Sequence, residues 1–287
     1  ESILEKVIES STFKSFELDE HRSFQPGVPK AHYAFAFDSS INTKYSGKIL
    51  LDVLIEKSIY PEHIEKPILA KWIDTDSATM VSVPSVDSIT GDKLTAFAPN
   101  TTGIPYFKGD QSFAMEICKQ LFDLSRLFHH IEDMGIVEMS FQLFAEQEIA
   151  YRNNGKATLP LTPEAVLKDT IDTCLIITTR GAGKDDQEKA NFKLLQKGIQ
   201  AFGTGFLMSG NFRIDEAIVA AAQVAHLAAK LMFGDLSSIQ FYEGQDIKDL
   251  SIENQDWNFL NRLKRQPDKS SFYYWYHTVE LFTKSKT

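Results

Sequence analysis

The sequence predicts an α+β fold: a small mixed β-sheet with helices, followed by a helical domain. Segments 32–38 ("HYAFAFD") and 48–56 ("KILLDVLIE") show the alternation or the continuous apolar run of β-strands. From Pro84 onward, apolar residues recur mainly at helical spacing. The length of 287 residues suits one large domain or two. We expect a sheet-containing domain over residues 1–150 and a helical C-terminal domain over residues 157–287.

The N-terminal part of the chain begins with a predicted helix and then changes to strand periodicity. The helix is indicated by apolar residues at helical spacing, namely Ile3, Leu4, Val7 and Ile8. The pattern changes after "QPGVPK" (25–30), where the first predicted strand begins. Segment 70–83 ("AKWIDTDSATMVSV") predicts a further strand pair, or one extended strand with a turn.

The remainder of the chain is predicted to be helical. Segment 112–133 is the strongest helix, because one stripe carries Ile117, Leu121, Leu124, Phe128 and Ile131. The segment "YRNNGKATLP" (151–160) gathers Asn, Gly and Pro and predicts the main connector. Three more helices are predicted beyond it, in segments 163–179, 189–207 and 215–233.

Composition limits where the protein works and what it binds. No run approaches the roughly 18 apolar residues of a membrane span, and "ESILEKVIESS" has no secretory pattern. Cys118 and Cys174 are far apart and predict two core residues, not a disulfide or zinc framework. We therefore expect a cytoplasmic protein with no membrane partner. The net charge of −9 argues against broad nucleic-acid adhesion, although it permits a local basic groove.

Three short motifs invite a functional interpretation, which the residues disfavour in the first two and leave open in the third. "TTRGAGKDD" (178–186) lacks the first glycine and the final hydroxyl residue of a phosphate-binding P-loop, so it predicts an inter-helix loop. His129 and His130 have no second ligand pair at helical spacing, which favours a partly exposed histidine pair. The basic and aromatic residues of segment 261–277 fit either a single-stranded nucleic-acid platform or a helix with core aromatics.

Asp52 is the first of three candidate site residues. Ile49, Leu51, Val53 and Ile55 share one face of the predicted strand, and we expect that aliphatic face to be covered. Asp52 lies on the other face, between two leucines. The pattern fits a carboxylate in apolar surroundings and a carboxylate on a solvated sheet face equally well.

Lys93 and Asp123 are the other two candidates. At about 100° per residue, Lys93 is expected near the middle of an apolar stripe formed by Val86, Ile89, Ala96 and Phe97. Ser88, Gly91 and Thr95 are expected on the opposite, solvated side. A lysine in such a stripe either extends its ammonium group to water or serves an anion. Asp123 is expected at the edge of its helix's apolar stripe, in line with Glu116, Gln120 and Leu127.

Three segments follow one another along the chain: the strand with Asp52, the helix with Lys93 and the helix with Asp123. In this order they resemble the AbiEii/AbiGii-type nucleotidyltransferase toxins of abortive infection and type IV toxin–antitoxin systems. The strand "LLDVLI" resembles the family's acid-containing aliphatic strand, and "GDKLTAF" resembles its E-K-L-x-A-L helix. Segment 123–127 resembles the D-L-Y-x-L pattern, with Lys119 in the basic position four residues earlier. The resemblance covers roughly residues 35–130. It implies that residues 1–150 form a nucleotidyltransferase-like domain.

The resemblance implies a chemistry and a set of partners. The family transfers a nucleotide from a nucleoside triphosphate (NTP), assisted by Mg²⁺, to an RNA such as tRNA or to a protein, and it pairs with a cognate antitoxin. Such chemistry depends on positioning and on charge neutralisation around phosphates. By resemblance, Asp52 is a catalytic acid and metal ligand, Lys93 binds the triphosphate, and Asp123 completes or orients the site.

One family motif is not found in this chain. The family carries a Gly-Ser turn followed by Asp-x-Asp, N-terminal to the segments described above. Asp74 and Asp76 have the right mutual spacing but follow the "LLDVLI" strand, so we expect them not to be metal ligands. The chain is therefore expected to be either a trimmed member or one that lost the motif, with little or no transferase activity by itself. The alternative function is a catalytically incomplete module that binds a protein or RNA.

Overall fold

The computed structural model describes residues 2–23, 29–41, 45–69, 79–153, 161–182, 185–207 and 209–284. Its helices and its antiparallel strand pairs confirm the predicted α+β class. The chain divides into two compact units, Glu1–Ser58 and Ile59–Thr287. The separate prediction of domains over 1–150 and 157–287 stays a prediction, and residues 154–160 of the connector lie outside the described residues.

The first unit is a three-stranded antiparallel sheet in the order β1-β2-β3, with two short helices. Its elements are α1 (Ser2–Glu9), β1 (Ser15–Leu18), α2 (Glu20–Ser23), β2 (Lys30–Asp38) and β3 (Ser46–Leu54). The strands predicted from the alternation of segment 32–38 and from the apolar run of segment 48–56 are β2 and β3, which pair from Lys30↔Leu54 to Asp38↔Ser46. This register places His32 opposite Asp52.

The aliphatic face of β3 differs from the sequence expectation. Ile49 and Leu51 are exposed, so the residues that the structure describes do not cover this face. On the opposite face, Leu50 and Leu54 are exposed as well. The apolar run therefore predicted the strand correctly, but the inference that one of its faces is covered was wrong for the described part of the chain.

The second unit begins with two strands and continues as a helical assembly. Its elements are β4 (His63–Pro67), β5 (Met80–Pro84), α3 (Val86–Ala96), β6 (Phe107–Lys108), β7 (Gln111–Ser112), α4 (Ala114–Phe128), α5 (Met134–Asn153), α6 (Pro163–Thr178), α7 (Asp186–Gly205), α8 (Ile214–Met232), a 3-10 helix (Asn258–Arg265) and α9 (Ser270–Lys284). β4 pairs with β5, and β6 pairs with β7. Within predicted segment 70–83, residues 80–83 belong to β5, while residues 70–78 lie outside the described residues.

The core of the second unit confirms most of the helix predictions. On α4, Ile117, Leu121, Leu124 and Phe128 are fully buried, and the helix ends before the predicted Ile131. α6, α7 and α8 correspond to the three helices predicted after the connector. α8 is rich in buried alanines and packs between α6 and α9, because alanine lets neighbouring helices approach closely. Cys118 and Cys174 are buried free cysteines, as predicted.

The structure also decides between interpretations of the short motifs. The aromatic residues of segment 261–277 are largely core residues: Phe272, Tyr273, Tyr274 and Trp275 are buried in α9. The indole of Trp275 donates to the Thr178 hydroxyl at 3.0 Å. Segment 178–186 joins α6 to α7, as predicted, although residues 183–184 lie outside the described residues. In the described ranges, each helix is too short or too polar to span a bilayer.

The face of α3 that enters the core is the reverse of the predicted one. Ser88, Gly91 and Thr95, expected in solvent, are buried, whereas Val86, Ile89 and Ala96 are only partly buried. Of the apolar residues in the predicted stripe, Phe97, which follows the last helical residue, is fully buried as expected. A Cβ on Gly91 would lie 2.5 Å from the backbone nitrogen of Phe141 in α5, so the two helices approach closely at this point. Small residues permit this approach, and the size of the side chains therefore outweighs their polarity in selecting the buried face.

The buried hydroxyl groups of α3 are satisfied by nearby backbone carbonyls. Thr90 Oγ1 donates to the Val86 carbonyl at 2.8 Å, and Thr95 Oγ1 donates to the Asp92 carbonyl at 2.7 Å. From α5, Ser140 Oγ donates to the Ser88 carbonyl at 2.6 Å. Because a bonded hydroxyl carries little burial cost, a polar face can lie inside the protein.

Candidate functional site

Lys93 and Asp123 come together across α3 and α4, although 30 positions separate them in the sequence. Lys93 Nζ lies 2.9 Å from Asp123 Oδ2 and donates a hydrogen bond to it. The same ammonium group donates to Gln120 Oε1, also at 2.9 Å. Gln120 and Asp123 are three residues apart on α4 and so lie on one side of that helix. The three side chains form one polar cluster, here called the Lys93 cluster.

The helix packing explains why Lys93 reaches α4. Leu94 and Phe97 are fully buried and anchor α3 in the core, while Gly91 faces α5. Lys93 lies about 200° around the helix from Gly91, on the side away from α5. Its ammonium group therefore does not enter the core, as the predicted stripe would require, but lies at a half-buried boundary.

The Lys93 cluster remains accessible to a ligand. The side chains of Lys93 and Asp123 are 27% and 31% exposed, and Gln120 is 9% exposed. Partial removal from water strengthens the attraction between the charges. An ammonium group has three N–H donors, and Gln120 and Asp123 accept two of them. Among the residues that the structure describes, the third N–H has no acceptor and can serve a ligand, such as a phosphate oxygen.

A second carboxylate lies next to Lys93 in the sequence but has a different environment. Asp92 accepts a hydrogen bond of 2.6 Å from the hydroxyl of Tyr60. Burial raises the pKa of the Asp92 carboxyl, while the Tyr60 hydrogen bond and the Lys93 charge oppose the rise. Burial, followed by contact with Asp92, raises the pKa of Tyr60 well above its usual value. Tyr60 therefore stays protonated and acts as the donor.

Asp52 lies in the first compact unit, on β3. Its Oδ1 lies 2.5 Å from Nδ1 of His32, the residue opposite it in the β2–β3 register. The Asp52 side chain is 58% exposed and the His32 side chain is 14% exposed. The structure thus brings Lys93 and Asp123 together, whereas the convergence of Asp52 with them stays a prediction. Asp74 and Asp76 lie outside the described residues.

Sequence reasoning gave no role to several residues that shape these sites. Gln120 is the easiest to find, since a helical offset of three from Asp123 places both side chains on one face. Tyr60 lies 32 positions from Asp92, and no local pattern links the two. His32 is found only once the antiparallel register of β2 and β3 is known.

The three candidate residues match the requirements of Mg²⁺ only in part. Mg²⁺ is commonly held by one or two carboxylates, with water and substrate phosphates completing its shell. Asp52 contacts His32 through Oδ1, but its side chain is 58% exposed, and it fits better than Asp123 as one such ligand. Asp123 is already paired with Lys93 and fits poorly. Across the described ranges, no cluster of three or more His, Cys, Asp or Glu residues forms a complete metal site.

An α+β chain with a half-buried lysine–carboxylate pair has a site suited to binding an anionic group. The family model described as "Nucleotidyl transferase AbiEii toxin, Type IV TA system" matches residues 1–205. The chain belongs to this family, as the motif order predicted. No curated protein and no solved structure matches the chain. The family supports a general role as a nucleotidyl-transfer toxin with an NTP substrate and an antitoxin partner.

Proposed function

We propose that this chain binds a nucleoside triphosphate through Lys93 and serves Mg²⁺-assisted nucleotidyl transfer to an RNA (tRNA) or protein acceptor. The supporting observation is the Lys93 cluster, in which a half-buried ammonium group uses two of its three donors on described residues. The proposal also includes a cognate antitoxin that restrains the toxin and a cytoplasmic location, where NTPs and tRNA are available.

Each side chain of the Lys93 cluster has a separate part in this proposal. Lys93 contributes a point charge to the phosphates, the usual role of lysine at such groups. Asp123 and Gln120 fix the direction of the ammonium group by accepting two of its hydrogen bonds. Both act as positioning residues. Nucleotidyl transfer requires mainly this kind of positioning and charge neutralisation.

Asp52 is proposed as the residue that holds Mg²⁺. The ion would supply positive charge at the phosphates. His32, 2.5 Å from the Asp52 carboxylate, would orient that carboxylate. Asp52 then needs further carboxylate ligands, which the described residues do not supply. For this reason we expect NTP binding by the chain alone to depend more on Lys93 than on Asp52.

The proposal is tested by titrating the wild-type chain with each of the four Mg–NTPs by calorimetry. Loss of a hydrogen bond from a charged group costs about 1.5–3 kcal/mol, so Lys93→Ala should weaken binding by roughly 10- to 150-fold. Asp123→Asn should have a smaller effect, because Lys93 keeps its charge. Lys168→Ala is the matched control, since Lys168 forms an exposed pair with Asp172 on α6.

The alternative function, a non-catalytic protein- or RNA-binding module, predicts a different result. Such a module would bind RNA or a protein with no measurable affinity for NTPs. Equal NTP affinity of the wild type and Lys93→Ala would contradict the proposed role of Lys93. Transfer is measured with α-³²P-labelled NTPs and tRNA or total protein. Strong labelling by this chain alone would overturn the expectation that the Gly-Ser…Asp-x-Asp motif is needed.

A further inference from the structure

The side of α7 that points away from α4 carries two exposed lysines. A Cβ on Gly198 would collide with the Ala114 carbonyl, so α7 and α4 are in close contact at this residue. Lys193 and Lys197 lie about 140° and 100° around α7 from Gly198, both on the same side. Because they are four positions apart on one helix, their Cβ atoms are about 5–6 Å apart. The surface formed by these two lysines is here called the α7 basic face.

The two lysines of the α7 basic face differ from Lys168 and Lys189, which pair with carboxylates on their own helices. Among the residues that the structure describes, neither Lys193 nor Lys197 makes an ion pair or a side-chain hydrogen bond. From Lys189 to Gly205, α7 contains no Asp or Glu, although the whole chain has a net charge of −9. Two positive charges of an acidic chain are therefore available to an external anion.

The α7 basic face borders a cavity of about 450 Å³ between the C-terminal half of α7 and the residues that precede α8. In the described part of the chain, the charged residues that line this cavity are both cations, Lys197 and Arg213. The other polar groups of the lining are neutral and belong to Gln196, Gln200, Thr204 and Asn211. Amide and hydroxyl groups of this kind commonly bond to the phosphate and sugar oxygens of nucleic acids.

The acidic residues that follow Arg213 have partners of their own. Asp215 pairs with Arg180, and Glu216 accepts a hydrogen bond of 2.9 Å from the backbone N–H of Arg213. The Arg213 side chain is exposed, and within the described ranges its guanidinium group makes no ion pair. Arg213 is therefore a third cation that can contact an anion at this cavity.

An exposed aromatic ring lies at the end of α7. Phe206 is the C-cap residue of this helix and is 62% exposed. Its ring is nearly parallel to that of the buried Phe202, with an angle of 14° between the planes and 6.4 Å between the centroids. Phe206 follows Thr204 of the cavity lining by two positions, so the two Cα atoms lie within about 8 Å of each other. A basic surface beside an exposed aromatic ring is the combination that binds single-stranded nucleic acids.

We propose that the α7 basic face binds single-stranded RNA together with the adjoining cavity and Phe206. Backbone phosphates contact Lys193, Lys197 and Arg213, and a base stacks on Phe206. The inference rests on the proposed function, which it deepens by assigning the RNA acceptor to a surface of its own. An acidic segment of a partner protein would match the cations but would leave the Phe206 ring without a flat partner, so the ring favours RNA.

The test measures the binding of fluorescein-labelled oligouridine by fluorescence anisotropy at several salt concentrations. The wild-type chain should bind it saturably, with a dissociation constant of about 1–100 μM at physiological salt. Each phosphate contact on a single strand contributes about 0.7 to the slope of log K against log salt concentration. Lys193→Gln/Lys197→Gln should therefore lower this slope by about 1.4 and weaken binding about tenfold. Arg213→Gln should lower the slope by about 0.7.

Two controls separate specific contacts from changes in net charge or folding. Lys168→Gln/Lys248→Gln removes the same charge from exposed lysines of the same unit and should bind as the wild type does. Phe206→Ala should weaken binding about fivefold or more by loss of stacking, with an unchanged salt slope. Phe259→Ala, at another exposed phenylalanine, is its control and should bind normally. Circular dichroism checks that each variant is folded.

The inference is overturned if the wild type shows no saturable oligouridine binding, or if the lysine double variant and Phe206→Ala both bind as the wild type does. Equal affinity for poly-glutamate of the same net charge would also overturn it, because the surface would then recognise charge alone, as an acidic protein segment requires. Binding of Mg–NTPs without oligouridine binding contradicts only this inference. Oligouridine binding without NTP binding would instead contradict the proposed function.

Discussion

The hydroxyl of Tyr60 donates a 2.6 Å hydrogen bond to the carboxylate of Asp92, the residue immediately before Lys93. The Tyr60 ring lies 4.6 Å from that of Phe144 on α5, centroid to centroid. Adjacent side chains of α3 thus have different partners: Asp92 interacts with Tyr60, while Lys93 interacts with α4. This division allows two opposite charges to be neighbours in sequence without forming their own ion pair.

Tyr60→Phe should destabilise the protein in a pH-dependent manner. The folded-state pKa of Asp92 is raised above the unfolded value of 3.8, so Asp92 stabilises the fold most when protonated, and this contribution is lost as the pH rises through its folded pKa. Removing the hydrogen bond raises that pKa further. The expected cost is about 1–2 kcal/mol at pH 7, shrinking toward acidic pH, as measured by urea unfolding. The Asp92→Asn background is the control, in which this pH dependence should disappear.

The Lys93–Asp123 pair should show a measurable coupling energy. Exposed ion pairs contribute about 0.2–1 kcal/mol, and this half-buried pair should lie at the upper end because solvent screens it less. The measurement is a double-mutant cycle of Lys93→Ala and Asp123→Ala, followed by chemical unfolding. The exposed Lys168–Asp172 pair provides the comparison and should couple by about 0.3–0.5 kcal/mol. A smaller coupling for Lys93–Asp123 than for Lys168–Asp172 would contradict this prediction.

Gly91→Ala should destabilise the second unit by about 1–3 kcal/mol, the usual range for overpacking. The new methyl group would lie within 2.6 Å of Ser140 Cβ and the Val137 carbonyl oxygen, so α3 and α5 must separate. The control is Gly205→Ala on α7, where a Cβ meets no atom within 4 Å. The control should be neutral or slightly stabilising. A thermal or urea unfolding series distinguishes the two variants, and equal stability would show that α3 does not approach α5 as described.

His226 should make the protein sensitive to mild acid. Burial in α8 lowers the pKa of His226 to about 3, with smaller contributions from His277 and Lys230. The unfolded chain binds this proton below about pH 6.5. The folded chain does so only near pH 3, so stability falls with decreasing pH between these values. His226→Leu should reduce this slope by up to about 1.4 kcal/mol per pH unit.

The control for His226 is the exposed His130, whose substitution by Asn should leave the slope unchanged. Free energies of unfolding measured from pH 7 to pH 4 for the wild type and the two variants provide the comparison. An identical slope for the wild type and His226→Leu would show that His226 is not held in its neutral form.

Local sequence patterns were sufficient to predict the elements that pack against apolar partners. The stripe of α4 follows from Ile117, Leu121, Leu124 and Phe128, because hydrophobic burial depends on apolar area whatever the partner is. The alternation of segment 32–38 likewise gave β2. The same apolar pattern predicted the wrong buried face for α3, because that face is lined by glycine and hydroxyl residues. Its choice of face depends on the close backbone of α5, which no residue of α3 encodes.

The sequence by itself determined the α+β class, most helix positions, the family and the identity of Lys93 and Asp123 as candidates. Tertiary structure decided that Lys93 contacts Gln120 and Asp123 on α4. It also decided that Asp92 accepts a hydrogen bond from Tyr60, and which side of α3 is buried. The physical reason is the range of the interactions. Periodicity reports the neighbours of a residue on its own helix or strand, whereas hydrogen bonds and close packing between elements depend on distances that only the folded chain fixes.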